Sequence, residues 1–211
     1  MYYGFWHCAL YLWGMSERPF NPNRVYRIEK VLHNMWYTFL GVVQITIWEA
    51  IFMYCWATKR LPFMTDEEAT STTWNLSMVI LSAFWVPTVR DVHFYFAHRY
   101  NTNLKHLYAL CIPNMKYFRF IHIKAMYKYI HSLHHRNTDI EPFAGLSMHP
   151  IEHLFYFTST LPSLFVFASP FAFLWNAYHL ILAPAAGHSG WEDHFQADQF
   201  HYLHHRYIIT F

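Results

Sequence analysis

The sequence has few charged residues and few cysteines. Asp, Glu, Lys and Arg make up 13% of its 211 residues, whereas ordinary soluble domains contain roughly 25%. With 55% hydrophobic and 21% aromatic residues, the composition indicates a membrane protein. The three cysteines are too scattered for a disulfide framework or a thiolate metal site. The net charge of +2 predicts that nucleic acid is not a partner.

The histidines, in contrast, are numerous and regularly spaced. All of the 17 histidines except His7 and His33 lie between His93 and His205. Hydrogen-bonded or pH-sensing core histidines are one explanation, but such residues have no reason to recur at fixed intervals. A loose His-rich tract would not show fixed intervals either. The spacing therefore favours metal ligands.

Two segments, residues 129–136 and 200–206, share the pattern H-x-x-H-H followed by arginine. The pattern places histidines at positions i, i+3 and i+4, which lie on one face of a helix. Three imidazoles on one face can hold one metal ion and reach toward a second. The histidines of these two segments are His131, His134, His135, His201, His204 and His205.

A third segment, residues 91–99, carries His93 and His98 after an apolar run. Residues five apart are turned by about 500° on a regular helix, so they share a face poorly. We therefore expect either a π-bulge between them or a helix that ends before His98.

The number of histidines in these three segments indicates more than one metal ion. One mononuclear site cannot use all of them, whereas a dinuclear site can use four or more imidazoles for each ion. Imidazole binds Zn, Cu, Fe and Ni, so the ligand type alone does not name the metal. A structural zinc site usually takes four ligands, often with cysteine among them.

Two further segments add candidate ligands. His188 lies in the sequence G-H-S-G after an apolar run, and we predict that it is a ligand. His149 and His153 are four residues apart, and each is either a ligand or a donor that orients a ligand. Pro150 favours the start of a helix at this point.

Apolar runs predict the segments that cross the membrane. Residues 36–57 are long enough to span a bilayer core of roughly 30 Å, and residues 74–89 form a second predicted span. Residues 154–184 are too long for one span and contain three prolines. They predict a hairpin or re-entrant pair with its bend near residues 169–170. The aromatic residues 1–14 predict an interfacial helix or the end of a membrane segment.

Basic residues predict the orientation of these spans. Residues 16–35 and 99–136 carry most of the Lys and Arg of the chain, which places them on the cytosolic side by the positive-inside rule. The predicted spans then bring every histidine cluster to that face. The sequence therefore predicts an all-α, integral membrane helical bundle. Its cytosolic face would carry a His-rich helical cap that holds a dinuclear metal site.

The motifs occur in the order D-x-x-F-Y-F-x-H-R, H-S-L-H-H, G-L-S-M-H-P-I-E-H, G-H-S-G and H-Y-L-H-H. This order resembles the fatty acid hydroxylase / sterol desaturase superfamily of membrane di-metal enzymes, over roughly residues 91–206. The resemblance implies that residues 91–211 are a catalytic domain that includes the hairpin 154–184. Residues 1–90 would be N-terminal membrane or interfacial helices, and the whole chain would be one structural unit.

The resemblance also implies an activity. It is that of an oxidoreductase in which two Fe ions activate O2 and a lipid is hydroxylated or desaturated at the endoplasmic reticulum membrane, with the metal site facing the cytosol. Zinc could replace iron in purified material. The sequence has no His-Pro-Gly-Gly haem motif, so electrons from NAD(P)H would come through a separate cytochrome b5-type donor or its reductase. The family's ligands fall on His93, His98, His131, His134, His135, His188, His201, His204 and His205, with His153 as a tenth.

Other functions are also consistent with the sequence. Family members usually continue past the last motif into a segment with Asn-Tyr-Gly, and residues 207–211 differ from it. A truncated, catalytically impaired member that binds lipid or metal is therefore an alternative. A metal transporter is another alternative. It would need polar residues along the spans, and only Glu49 and His179 meet that requirement. The lipid could be a sterol, a fatty acyl chain or a sphingoid chain.

Overall fold

The computed structural model describes residues 1–16, 18–98, 124–166, 170–192 and 197–207. These residues form helices joined by turns and contain no β-strand, so the prediction of an all-α chain is confirmed. The α-helices are α1 (Tyr2–His7), α2 (Ile28–Ala57), α3 (Asp66–Thr70), α4 (Thr72–His98), α5 (Lys124–Tyr129), α6 (Pro150–Phe157), α7 (Leu161–Val166), α8 (Pro170–Gly187) and α9 (Ala197–Tyr207). A π-helix (Cys8–Leu12) follows α1, and three 3-10 helices cover His131–Arg136, Pro142–Leu146 and Thr158–Thr160.

Helix α2 contains the first predicted span, residues 36–57, and begins eight residues before it. Among the described helices, α2 is the one that is long and apolar enough to cross a membrane. Only 17% of its most apolar stretch is buried, whereas the core helix of a soluble protein would be mostly buried. By length and composition α2 could therefore cross a membrane. The bundle of several spans remains a prediction.

Helix α4 contains the second predicted span and continues without interruption to His98, its last residue. The described backbone is α-helical through both His93 and His98. The prediction of a π-bulge, or of a helix that ends before His98, was therefore wrong. The side chains of these two histidines lie outside the part of the chain that the structure describes.

The predicted hairpin of residues 154–184 corresponds to two antiparallel helical arms. The first arm runs from α6 to α7, and the second is α8. The hydroxyl of Tyr156 donates to the carbonyl of Leu180 at 3.4 Å, and Asn176 donates to the carbonyl of Ser159 at 3.1 Å. Since the contact numbers rise on one arm as they fall on the other, the arms are antiparallel. The bend is predicted near residues 169–170. Helix α8 begins at Pro170, and residues 167–169 lie outside the described residues.

The 3-10 helix Pro142–Leu146 lies at the centre of the fold. All five of its residues are buried, and it packs against α1, α2 and α8. The ring of Phe143 stacks on Tyr3 of α1, with the centroids 5.7 Å apart. The hydroxyl of Thr38 in α2 donates to the carbonyl of Phe143 at 2.9 Å. Residues from the N-terminal helices and from the histidine-rich part therefore share one core.

A proline inside α8 explains one of these contacts. Pro184 has no N–H, so the carbonyl of Leu180 lacks its helical donor at this turn. The hydroxyl of Tyr156 donates to that carbonyl instead. The carbonyl of Pro184 still accepts from the N–H of His188 at 3.1 Å, so the helical hydrogen-bonding continues to the end of α8.

Gly145 allows the central 3-10 helix to approach α8 closely. A Cβ at this position would lie 2.3 Å from the carbonyl oxygen of Pro184. We predict that Gly145→Ala lowers the free energy of unfolding by about 1–3 kcal/mol, because backbone atoms must move to relieve the overlap. A lower thermal midpoint, measured by circular dichroism of the full chain in mild detergent, would show this.

The matched control is Gly4→Ala. Gly4 also lies in a helix, but a Cβ there meets nothing within 4 Å. Since alanine favours a helix more than glycine does, this substitution is expected to leave the midpoint unchanged or to raise it slightly. Equal midpoints for the two variants would contradict the proposed overlap.

Candidate metal centre

In the described part of the chain, predicted histidine ligands meet in two adjoining clusters. Each ring of a cluster offers one nitrogen, and these nitrogens lie within 4.8 Å of one another, so each cluster could hold a metal ion. We call the first cluster site A and the second site B. Site A contains His134, His188, His201 and His205, and site B contains His131, His135 and His204.

The two H-x-x-H-H motifs are each divided between the two sites. Helix α9 has the α-helical geometry that the sequence predicts. His201 and His205 are one turn apart and differ by about 40°, whereas His204 is turned by about 60° to the other side. This rotation explains why His204 belongs to site B.

The first motif is also helical, but its helix is not an α-helix. Residues His131–Arg136 form a 3-10 helix after α5 ends at Tyr129. His134 faces site A, while His131 and His135 face site B. The rings of His134 and His135 contact the ring of His205 at centroid distances of 4.5 and 4.9 Å. The two sites are therefore in direct contact.

The nitrogens of site A are spaced like the ligands of one metal ion. The Nε2 atom of His188 lies 2.9 Å from that of His201, 3.1 Å from that of His205 and 3.4 Å from that of His134. Metal–imidazole bonds of about 2.0–2.1 Å place neighbouring nitrogens about 2.8–3.4 Å apart, for angles between octahedral and tetrahedral. The observed spacing fits this range.

The tautomers of two histidines point to the same conclusion. The Nδ1–H of His134 donates to the carbonyl of Ser147 at 3.3 Å, and that of His188 donates to the carbonyl of Pro184 at 2.8 Å. Because a carbonyl can only accept, each ring carries its proton on Nδ1 and has a lone pair on Nε2. The two lone pairs face each other across 3.4 Å, an arrangement that a cation between them would stabilise.

Burial keeps the imidazoles neutral. Loss of hydration lowers the pKa of His131 and His201 to about 3, and that of His134 and His204 to about 4. Burial also holds the pKa of His188 and His205 well below its usual value. A neutral imidazole retains the lone pair that a metal needs. These histidines are therefore in the ligand form at neutral pH.

Site B has an acidic partner. The Nδ1–H of His131 donates to Oε1 of Glu152 at 2.6 Å, and its Nε2 lies 3.0 Å from that of His135. The rings of His135 and His204 are 4.5 Å apart. The side chain of Glu152 is only 3% exposed, and desolvation is the main reason that its pKa is raised. A role for Glu152 was not predicted from the sequence. Its position between two candidate ligands, His149 and His153, could have indicated a partner for a ligand.

The structure does not bring His153 to either site. Its Nε2–H donates to the carbonyl of Leu146 at 2.9 Å, and its ring stacks on Phe157. His149 caps α6, where its Nδ1 accepts from the N–H of Ile151. His93 and His98 remain predicted ligands, because their side chains lie outside the described part of the chain.

His7 lies far from the histidine motifs in the sequence, but it belongs to a buried network next to the first motif. Its Nδ1 lies 3.0 Å from Oε2 of Glu141, and Asn34 of α2 donates to Oε1 of the same carboxylate at 2.8 Å. All three side chains are buried. They connect α1 and α2 to the segment that follows the first H-x-x-H-H motif. Because the partners are more than 100 residues apart, spacing alone does not predict this network.

We predict that the full chain binds about two metal ions and that the two sites can be emptied separately. His188→Ala removes a ligand from site A, whereas His135→Ala removes one from site B. Each variant is therefore expected to lose one metal ion and to retain the other. Metal content per chain, measured by plasma emission spectrometry after removal of free metal, tests this.

His33→Ala is the matched control. His33 packs against Tyr37 in α2 and belongs to neither site, so the metal content should not change. A fall in metal content that is the same for all three variants would show that the loss follows from general destabilisation rather than from loss of a ligand.

Comparison of the chain with protein-family models, with curated proteins and with solved structures found no match in any of the three.

Proposed function

We propose that the chain is an O2-dependent di-iron oxidoreductase that hydroxylates or desaturates a lipid at a membrane. The observation that carries this proposal is the pair of adjoining, largely buried sites in which each ligand found in the described part of the chain is an imidazole. A single structural ion would use about four ligands. Two sites in contact are typical of centres in which two metal ions act on the same small molecule.

Imidazole ligands suit iron as well as zinc. We favour iron because the order of the motifs resembles that of di-iron enzymes. Bound at these histidines, two iron ions would supply O2 activation, with two electrons from NAD(P)H through a cytochrome b5-type partner. The lipid would be a sterol, a fatty acyl chain or a sphingoid chain.

The protein's own residues contribute orientation and exclusion of water. The carbonyls of Ser147 and Pro184 hold two rings of site A with their Nε2 lone pairs inward. Glu152 does the same for His131 in site B. The rings of His131 and His205 are fully buried, so bulk water does not reach them. An oxidising centre shielded in this way is protected from side reactions.

The exposed apolar surface of α2 supports a membrane location. Its side chains at Trp36, Phe39, Ile47 and Ile51 are each more than half exposed. Lipid would cover such a surface at little cost, whereas water would not. We place the chain in the endoplasmic reticulum membrane with its metal sites facing the cytosol. The resemblance of the motifs to the fatty acid hydroxylase / sterol desaturase superfamily supports this proposed location.

The test combines metal content with turnover. The full chain is purified in mild detergent, loaded with Fe(II) without oxygen, and supplied with NADH, cytochrome b5, its reductase and one lipid class at a time. We expect lipid-dependent O2 uptake and a hydroxylated or desaturated product by mass spectrometry. His204→Ala should abolish both, and His33→Ala should leave both unchanged.

The results separate the possible functions. Two bound metal ions without O2 uptake or product for any lipid class would overturn the oxidoreductase proposal and leave a metal- or lipid-binding protein. Less than one metal ion per folded chain would overturn the dinuclear centre itself.

A further inference from the structure

We propose that Glu152 is a positioning residue for site B, where it accepts from the Nδ1–H of a ligand, so that the two metal positions are chemically inequivalent. This inference rests on the proposed two-metal centre. Its observation is the hydrogen bond of 2.6 Å between Nδ1 of His131 and Oε1 of Glu152. Both side chains are almost completely buried, at 0% and 3% exposure.

Site A is oriented differently. The Nδ1 atoms of His134 and His188 donate to main-chain carbonyls, which carry a dipole but no net charge. A carboxylate that accepts from Nδ1–H makes the opposite nitrogen a better electron donor to a metal, and it fixes the ring. A metal at site B would therefore have more electron-rich surroundings than one at site A.

The other oxygen of Glu152 gives a second reason to expect a cation at site B. Its Oε2 atom is buried and has no hydrogen-bond partner among the described residues. A buried carboxylate with one bare oxygen is costly unless positive charge lies nearby. The rings of His131 and His134 are neutral, and the main-chain N–H of His149 offers a dipole but no net charge. A metal ion bound at Nε2 of His131 would supply it.

Local structure holds Glu152 in place. Pro150 begins α6, and His149 caps it by accepting from the N–H of Ile151. Glu152 lies in the first turn, where the helix dipole favours a negative charge. The side chain is thus directed by a short, well-capped helix rather than by a loop.

The experiment measures the two binding constants of the full chain for Zn(II), by competition with chromophoric chelators. We expect Glu152→Gln to weaken one constant by about 10–100-fold. The other constant should change much less, because the carboxylate lies near His134 of site A but does not bond to it. Glutamine can still accept from His131 but lacks the charge. Glu152→Asp keeps the charge and should retain more affinity than Glu152→Gln.

Glu141→Gln is the matched control. Glu141 is also buried and also bonds to the Nδ1 of a histidine, His7, but it contacts neither site. Because it contacts neither site, its substitution should not weaken one constant more than the other. A structural role for Glu152 would instead lower both constants together, or lower the thermal midpoint without changing either.

Double variants identify the affected site. In a His135→Ala chain, which has lost a site B ligand, Glu152→Gln should cause much less than a 10-fold further loss of affinity. In a His188→Ala chain, Glu152→Gln should still lower the affinity for the remaining ion. The reverse pattern, or unchanged constants in a Glu152→Gln chain that folds, would overturn the inference. If the wild-type chain itself binds fewer than two ions, the proposed dinuclear centre fails first, and that result is seen before any variant is made.

Discussion

The contacts among the imidazoles depend on where each ring carries its proton. A neutral imidazole donates at one nitrogen and accepts at the other, so an acceptor for its N–H lets a ring turn a lone pair toward its neighbours at little cost. The fold supplies such an acceptor for three of the rings. The acceptors are the carbonyls of Ser147 and Pro184 for site A and the carboxylate of Glu152 for site B.

These acceptors belong to the same core. Ser147 directly follows the buried 3-10 helix Pro142–Leu146, and Pro184 lies in the turn of α8 against which Gly145 packs. The carbonyl of Leu146, at the end of this 3-10 helix, accepts from His153. Packing of the central segment and orientation of the rings are therefore parts of one arrangement. A substitution that disturbs this packing is therefore expected to change the orientation of the rings as well.

The sequence predicted the helical class, the position of the long apolar helix and the antiparallel arms around residues 154–184. These follow from periodicity, run length and proline placement, which are local. In both motifs the i and i+4 rings share a site and the i+3 ring belongs to the other site. The spacing does not show which rings of the two motifs meet, because that depends on how the two segments pack. Glu152 and His7 were missed for a related reason. Their partners lie on other elements, 21 and 134 residues away along the chain.

Helix α9 supplies rings to both sites, and it follows the segments that supply the other rings and their acceptors. Neither site is complete until this helix has docked, so the binding-competent pocket forms only after α9 has been synthesised. Each bound ion would then link α9 to the rest of the protein, since metal binding energy becomes folding energy where a site joins separate elements. Metal availability during biogenesis would thus decide how firmly α9 is held.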